Sequence, residues 1–169
     1  VSVMALASDT ASRQATRSIA RTVAERIQQE GPIPGLVALL PLRGLLVSQV
    51  HYFHTWALLT RYYQFGRDNL LELGGDTEGL IARYRTVDEQ RLATLLVVRY
   101  PSNDRGANAH GRFLQGYLAG TDAEIECRDE RWVGFVRRDR LLLGVFDAVE
   151  RGQVVSLIDE VTRWCRGAS

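Results

Sequence analysis

The sequence predicts an α+β fold, with helices packed on one face of an antiparallel sheet. Three observations carry that reading. Val154, Leu157, Ile158, Val161, Trp164 and Cys165 recur with the spacing of one face of an α-helix, the clearest periodic signal in the chain. Just before them, Trp132–Arg138 and Arg140–Asp147 are apolar runs split by the charged turn Arg137-Arg138-Asp139-Arg140, which reads as a hairpin. Leu141 to Phe146 is apolar at successive rather than alternate positions, which places that strand centrally in a sheet and covered on both faces.

From the start, Val1–Ala7 reads as a short strand, and Asp9 or Thr10 can cap the helix after it. Ala15, Ile19, Ala20, Val23 and Ile27 give this helix an apolar stripe, and the Gly31-Pro32-Ile33-Pro34-Gly35 stretch stops it. Residues 1–35 thus form a strand–helix unit, and 36–169 the α+β domain. The opening unit echoes the closing one: at one constant offset Asp9 aligns with Asp147, Arg13 with Arg151, Ser18 with Ser156 and Val23 with Val161. Either the unit ends a preceding repeat, which is the expectation we favour, or Val1–Ala7 adds to the main sheet as an edge strand.

Leu36–Leu46 is too broken by Pro41 and Gly44 to be one helix, and Val47–Phe65 is rich in aromatics with mixed periodicity, leaving strand and helix open there. Gly66–Gly79 is a polar turn region. Leu80–Thr86 and Arg91–Tyr100 form a hairpin through Val87-Asp88-Glu89-Gln90. Pro101 ends its second strand, and Ser102 caps a helix over Asp104–Ala119 with Phe113, Leu114, Tyr117 and Leu118 as its buried stripe. Glu124–Arg128 alternates Ile125 and Cys127 against charged residues, a strand with one wet face. The full order is β-α-(aromatic segment)-β-β-α-β-β-β-α.

With 46% hydrophobic and 24% charged residues over 169 positions, the composition is that of an ordinary globular chain. A net charge of +1 gives no global field for nucleic acid or an acidic membrane, and no run approaches the roughly 20 apolar residues of a membrane span. The basic residues are all Arg, a usage that codon bias explains. Cys127 and Cys165 form no C-x-x-C pair; they read either as buried thiols or as a disulfide tying helix to sheet.

Three clusters could carry chemistry. His51 and His54 share a face on a helix and could hold a metal there, but on a strand they point to opposite sides. With Tyr52, Phe53 and Trp56 adjacent, aromatic packing is the plainer role. Asp68, Glu72, Asp76 and Glu78 lack the spacing of a calcium loop and read as a solvated turn. The basic hairpin tip around Arg137–Arg140, with Arg128 and Arg131, can grip phosphate, although Asp129, Glu130 and Asp139 interleave with it. There is no nucleophile elbow, P-loop or dinucleotide fingerprint.

Taken together, His51-Tyr52-Phe53-His54, Gly75-Asp76-Thr77-Glu78-Gly79 leading to Ala82-Arg83-Tyr84, and Arg99-Tyr100-Pro101-Ser102 followed by Phe113 and Tyr117 resemble an uncharacterised bacterial family known as a domain of unknown function. The resemblance spans roughly residues 36–165. It implies an extracytoplasmic setting, periplasmic or membrane-associated and often lipoprotein-like, and two related α+β halves, with a first half and an export signal upstream. It supplies no catalytic residues and no cofactor. The expectation is a non-catalytic accessory or interaction subunit of a larger bacterial assembly. It would meet a protein partner or its own copy, and not nucleic acid, through Tyr52, Phe53, Trp56, Tyr62, Tyr63 and Phe65, because aromatics and Arg are enriched at hot spots. The alternative is a metal- or small-ligand-dependent enzyme using His51, His54 and the nearby acids.

Overall fold

The computed structural model describes residues 10–26, 33–86, 91–118 and 124–167. The segments expected as the strand Val1–Ala7 and the turn Val87–Gln90 lie outside the described residues. The chain divides into two units, Val1–Ile33 and Pro34–Ser169. In the first, helix α1 runs over Thr10–Arg26.

The second unit is built on a six-stranded sheet. Its strands are β1 (Leu45–Phe53), β2 (Glu78–Arg85), β3 (Leu92–Arg99), β4 (Ile125–Arg128), β5 (Arg131–Arg138) and β6 (Leu141–Ala148). They lie in the order β1-β2-β3-β6-β5-β4, every pairing antiparallel. The fold is α+β, and its described elements largely follow the order read from the sequence. The aromatic segment, ambiguous by periodicity, resolves into β1 followed by one short helical turn, α2 (Trp56–Leu59). A 3-10 turn over Gly35–Leu39 precedes β1 and buries Leu36 and Leu39.

Side-chain alternation sorts the core into two clusters, one on each face of the sheet. Leu80, Ala82, Tyr84, Leu95, Val97, Leu143 and Val145 point to one side, where α4 (Arg151–Gly167) lays down Val154, Leu157, Ile158 and Val161. Ile81, Leu96, Val98, Phe135, Leu142 and Phe146 point to the other, where α3 (Asn103–Gly116) brings Ala109 and Phe113. The two long helices therefore divide between the faces instead of sharing one. The reason is the successive apolar run in β6, which is central and needs cover on both sides.

Local chemistry fixes the elements as read. The Ser102 hydroxyl accepts from the Arg105 amide at 3.3 Å and caps α3. Gly79 stands opposite Phe53 across β1 and β2, and a Cβ there would collide with the Phe53 ring. Gly134 leaves room in the same way for Val154 of α4.

The stripe on α4 is narrower than its periodicity. Val154, Leu157, Ile158 and Val161 are buried and Cys165 packs against the same core, whereas Trp164 is 60% exposed. The cysteines are not bridged to one another, as the thiol reading expects, but Cys127 is exposed instead of buried. It lies on the edge strand β4, where Ile125 is the residue that packs against the core. Burial raises the Cys165 thiol pKa.

Truncation of Leu157 to Ala should lower stability by about 2–5 kcal/mol in denaturant titration, the range for buried leucines; a loss below about 0.5 kcal/mol would mark a surface position. Alkylation of freshly prepared, denatured but unreduced protein should modify both cysteines by intact mass. Recovery of an unmodified, bridged species would contradict their arrangement.

Candidate functional site

Register decides which side chains of the sheet meet. On the α3 face, Phe53, Gly79, Val98 and Leu142 form one cross-strand row, and His51, Ile81, Leu96 and Gly144 form the next. A third row brings Arg83 opposite Thr94, and Thr94 opposite Phe146. The first two rows are almost wholly apolar and lie under α3 and the aromatic segment. The third turns polar and stays partly open.

Asp147 completes this polar row. Its φ of 60° is a left-handed conformation, which Asp tolerates better than most non-glycine residues. The register between β5 and β6 shifts at the same place, between Trp132 and Gly134. The irregularity sends Ala148 to the α4 core, while the Asp147 carboxylate reaches groups of the α3 face. One oxygen accepts from the Tyr63 hydroxyl at 3.2 Å, and the other from the Thr94 hydroxyl at 3.4 Å. Arg83 lies 3.6 Å from that second oxygen. Its guanidinium also donates to the Thr94 hydroxyl and to the Tyr62 carbonyl, and sits 5.5 Å from the centre of the Tyr63 ring. Burial raises the Tyr63 phenol pKa, with the Tyr117 phenol and the Asp147 carboxylate adding to it, so Tyr63 stays a donor at neutral pH.

Two depressions open on this network. The larger, about 430 Å³, is lined by Gln49, Arg83, Arg91, Leu92, Arg131 and Asp147. The smaller, about 190 Å³, shares Gln49 and Arg83 and adds His51, Arg61, Tyr62 and Ile81.

The histidines take separate partners. His51 lies within β1 and stacks on Tyr62, with ring centres 3.9 Å apart and planes at 9°. His54 follows the end of β1; its Nδ1 pairs with the Thr77 carbonyl, and its ring meets Tyr52 edge-on. His110 on α3 stacks on Phe135. Among the described residues no group of three His, Cys, Asp or Glu is placed to hold a metal ion. The acids are dispersed: Glu72 pairs with Arg112, Asp76 with Arg105, and Glu78 with Arg99 and the Tyr52 hydroxyl.

The six aromatics expected to form one interaction surface do not form one: five gather on the α3 side, partly inside the core, and Tyr52 faces the other way. Phe53 and Phe65 are buried in the α3-side core, so neither is available to a partner; the segment needs them as anchors to the sheet. Tyr52 packs toward the α4-side core, as strand alternation requires of a neighbour of Phe53. Trp56, Tyr62 and Tyr63 are half-buried on the α3 side. Leu58, on α2, is 39% exposed. At the basic hairpin, Arg138 pairs with Glu124 and Arg128 with Glu126, while Arg131 lies at the far end of β5 and lines the cleft. The sequence reading missed Asp147 and Thr94 as site residues. The one available signal was an acid closing an otherwise apolar central strand.

No protein-family model, curated protein or solved structure matches this chain.

Burial lowers the pKa of both His51 and His110. Each therefore binds fewer protons folded than unfolded between its depressed value and the ordinary histidine value of about 6.5. Stability is full above that value and declines as pH falls through the window below it. NMR titration should place both imidazole midpoints below about 6.5. A midpoint above it for either ring would contradict its setting.

Proposed function

We propose that the protein is a non-catalytic interaction subunit of a larger bacterial assembly outside the cytoplasm, meeting a protein partner through the accessible part of its aromatic segment. The setting follows from the family resemblance. The surface follows from one observation: Leu58 is substantially exposed between half-buried Trp56 and Tyr62, on a segment pinned to the sheet by Phe53, Leu59 and Phe65. A rigidly backed Trp–Leu–Arg–Tyr surface loses little conformational freedom on binding, and Trp, Tyr and Arg are the residues that dominate interface energetics. Among the described residues no helix is long and apolar enough to cross a membrane.

The rival reading, an enzyme with a metal on His51 and His54, predicts the opposite ranking of variants. Trp56→Ala and Leu58→Asp should abolish co-purification with the native assembly, or self-association in sedimentation, with the truncation of Trp56 weakening binding by about 2 kcal/mol or more. His51→Ala and His54→Ala should reduce stability more than association. Stoichiometric metal lost from both histidine variants and retained by Trp56→Ala would overturn the interaction reading.

A further inference from the structure

The sheet has two edges, and the chain treats them differently. Strand β4 is four residues long, with Glu126 and Arg128 in it and Glu124 just before it. Short length and charge are the usual devices that keep an edge from pairing with another chain. Strand β1, at the other edge, has nine residues and no Asp, Glu, Lys or Arg. The uncharged stretch extends from Gly44 to Thr60, in a chain of which 24% is charged. Among the described residues no strand pairs with the outer side of β1. The backbone N–H and C=O groups along such an edge are complementary to one kind of object, an extended polypeptide.

The irregularity between Leu45 and Val50 limits where a new strand adds. Only Arg83 of β2 stands opposite Leu46 to Gln49, whereas Val50, His51, Tyr52 and Phe53 pair one for one with Ala82, Ile81, Leu80 and Gly79. The bulge blunts the first half of the edge and leaves the second half regular. Four paired residues do not hold two chains together by themselves, so the side chains flanking them have to contribute.

The two ends of the regular stretch point to the occupant. Before it, Val47 is 77% exposed in the bulge; after it, Leu58 is 39% exposed on α2. Consider β1 pairing antiparallel with its own copy about a two-fold axis between His51 and Tyr52. Val50 then faces Phe53 of the other copy, and the Val47 end of each strand comes to the α2 end of its partner. Each exposed apolar residue covers the other, twice per dimer, with no charged side chain along the joint. We propose that the chain forms a two-fold dimer in which β1 pairs with β1, joining two six-stranded sheets into one, with Val47 of each copy packed against Leu58 of the other. The dimer rests on the interaction reading above and makes the partner a second copy.

The test is sedimentation of the full chain over a range of concentrations. Wild type should pass from monomer to dimer as concentration rises. Val47→Lys and Leu58→Asp, both at exposed positions, should each raise the dimer dissociation constant about tenfold or more, since each buries a charge against an apolar side chain. An equimolar mixture of the two variants should associate again. In the mixed dimer one joint sets the introduced ammonium against the introduced carboxylate, and the other keeps Val47 on Leu58. A folding defect cannot produce that rescue. Trp164→Lys, at an exposed apolar position on α4, should leave the constant unchanged. Wild type that stays monomeric, dimerisation of Val47→Lys equal to wild type, or a mixture without rescue would overturn the proposal. Loss of native co-purification by Leu58→Asp alongside a monomeric wild type would keep the aromatic surface and give it to a different protein. A monomer whose β1 amides are all protected from exchange would assign the edge to another segment of the same chain.

Discussion

The two strands in the middle of the sheet, β3 and β6, are buried on both faces, and the other features of the domain follow from covering them. Each runs through successive apolar residues, Leu95 to Val98 in one and Leu142 to Phe146 in the other. A strand of this kind cannot leave a face to water without exposing several large side chains. One face is covered by α4, whose contact is aliphatic; the other is covered by α3 and the aromatic segment, whose contact is largely ring against ring. Phe65, Phe113, Phe135, Phe146 and Tyr117 form a continuous set of edge and stacked contacts there. Such pairs add about 0.5–1.5 kcal/mol each beyond the area they bury.

The cleft is what that second cover leaves open. The helix α3 follows the apolar rows, and the segment after β1 closes their other end, so the polar row of Arg83, Thr94 and Asp147 stays partly open, with Tyr62 and Tyr63 beside it. The Arg83–Asp147 pair is partly exposed, and an ion pair in that setting contributes little to stability. Its structural effect is orientation. Arg83 is held by a carboxylate, a hydroxyl, a carbonyl and a ring face at once, which fixes a long side chain that would otherwise sample many rotamers.

Much of this architecture was legible in the sequence because the strongest signals are local. Six apolar residues at helical spacing located α4, Ser102 after Pro101 located the start of α3, and the unbroken apolar run in β6 placed that strand in the interior. The same run also contained the reason that helices occupy both faces. The exposure of Trp164 was not legible, since it keeps the period of a stripe that continues past it to Cys165. Nor was the division of the aromatic segment: Phe53 and Tyr52 are neighbours in sequence and enemies in direction, and their opposite fates depend on a strand assignment that mixed periodicity left open. The polar row was hidden most completely. Arg83, Thr94 and Asp147 come from three strands and are ordinary residues singly; their meeting is a property of register, and for Asp147 of a backbone irregularity.

The links that complete the cleft have a temporal consequence. Tyr63 and Asp147 are separated by 84 residues, and Thr94 and Asp147 by 53. The β2–β3 hairpin is a local pairing, but β6 reaches β3 only after α3, β4 and β5 have been made. On the ribosome, then, the edge from β1 to β3 emerges with β3 as a provisional border, its apolar row unsatisfied along one side. Long-range closure of this sort slows folding and lengthens the life of partly paired states. The last strand to dock both seals that border and delivers Asp147, so sheet closure and assembly of the cleft are one event.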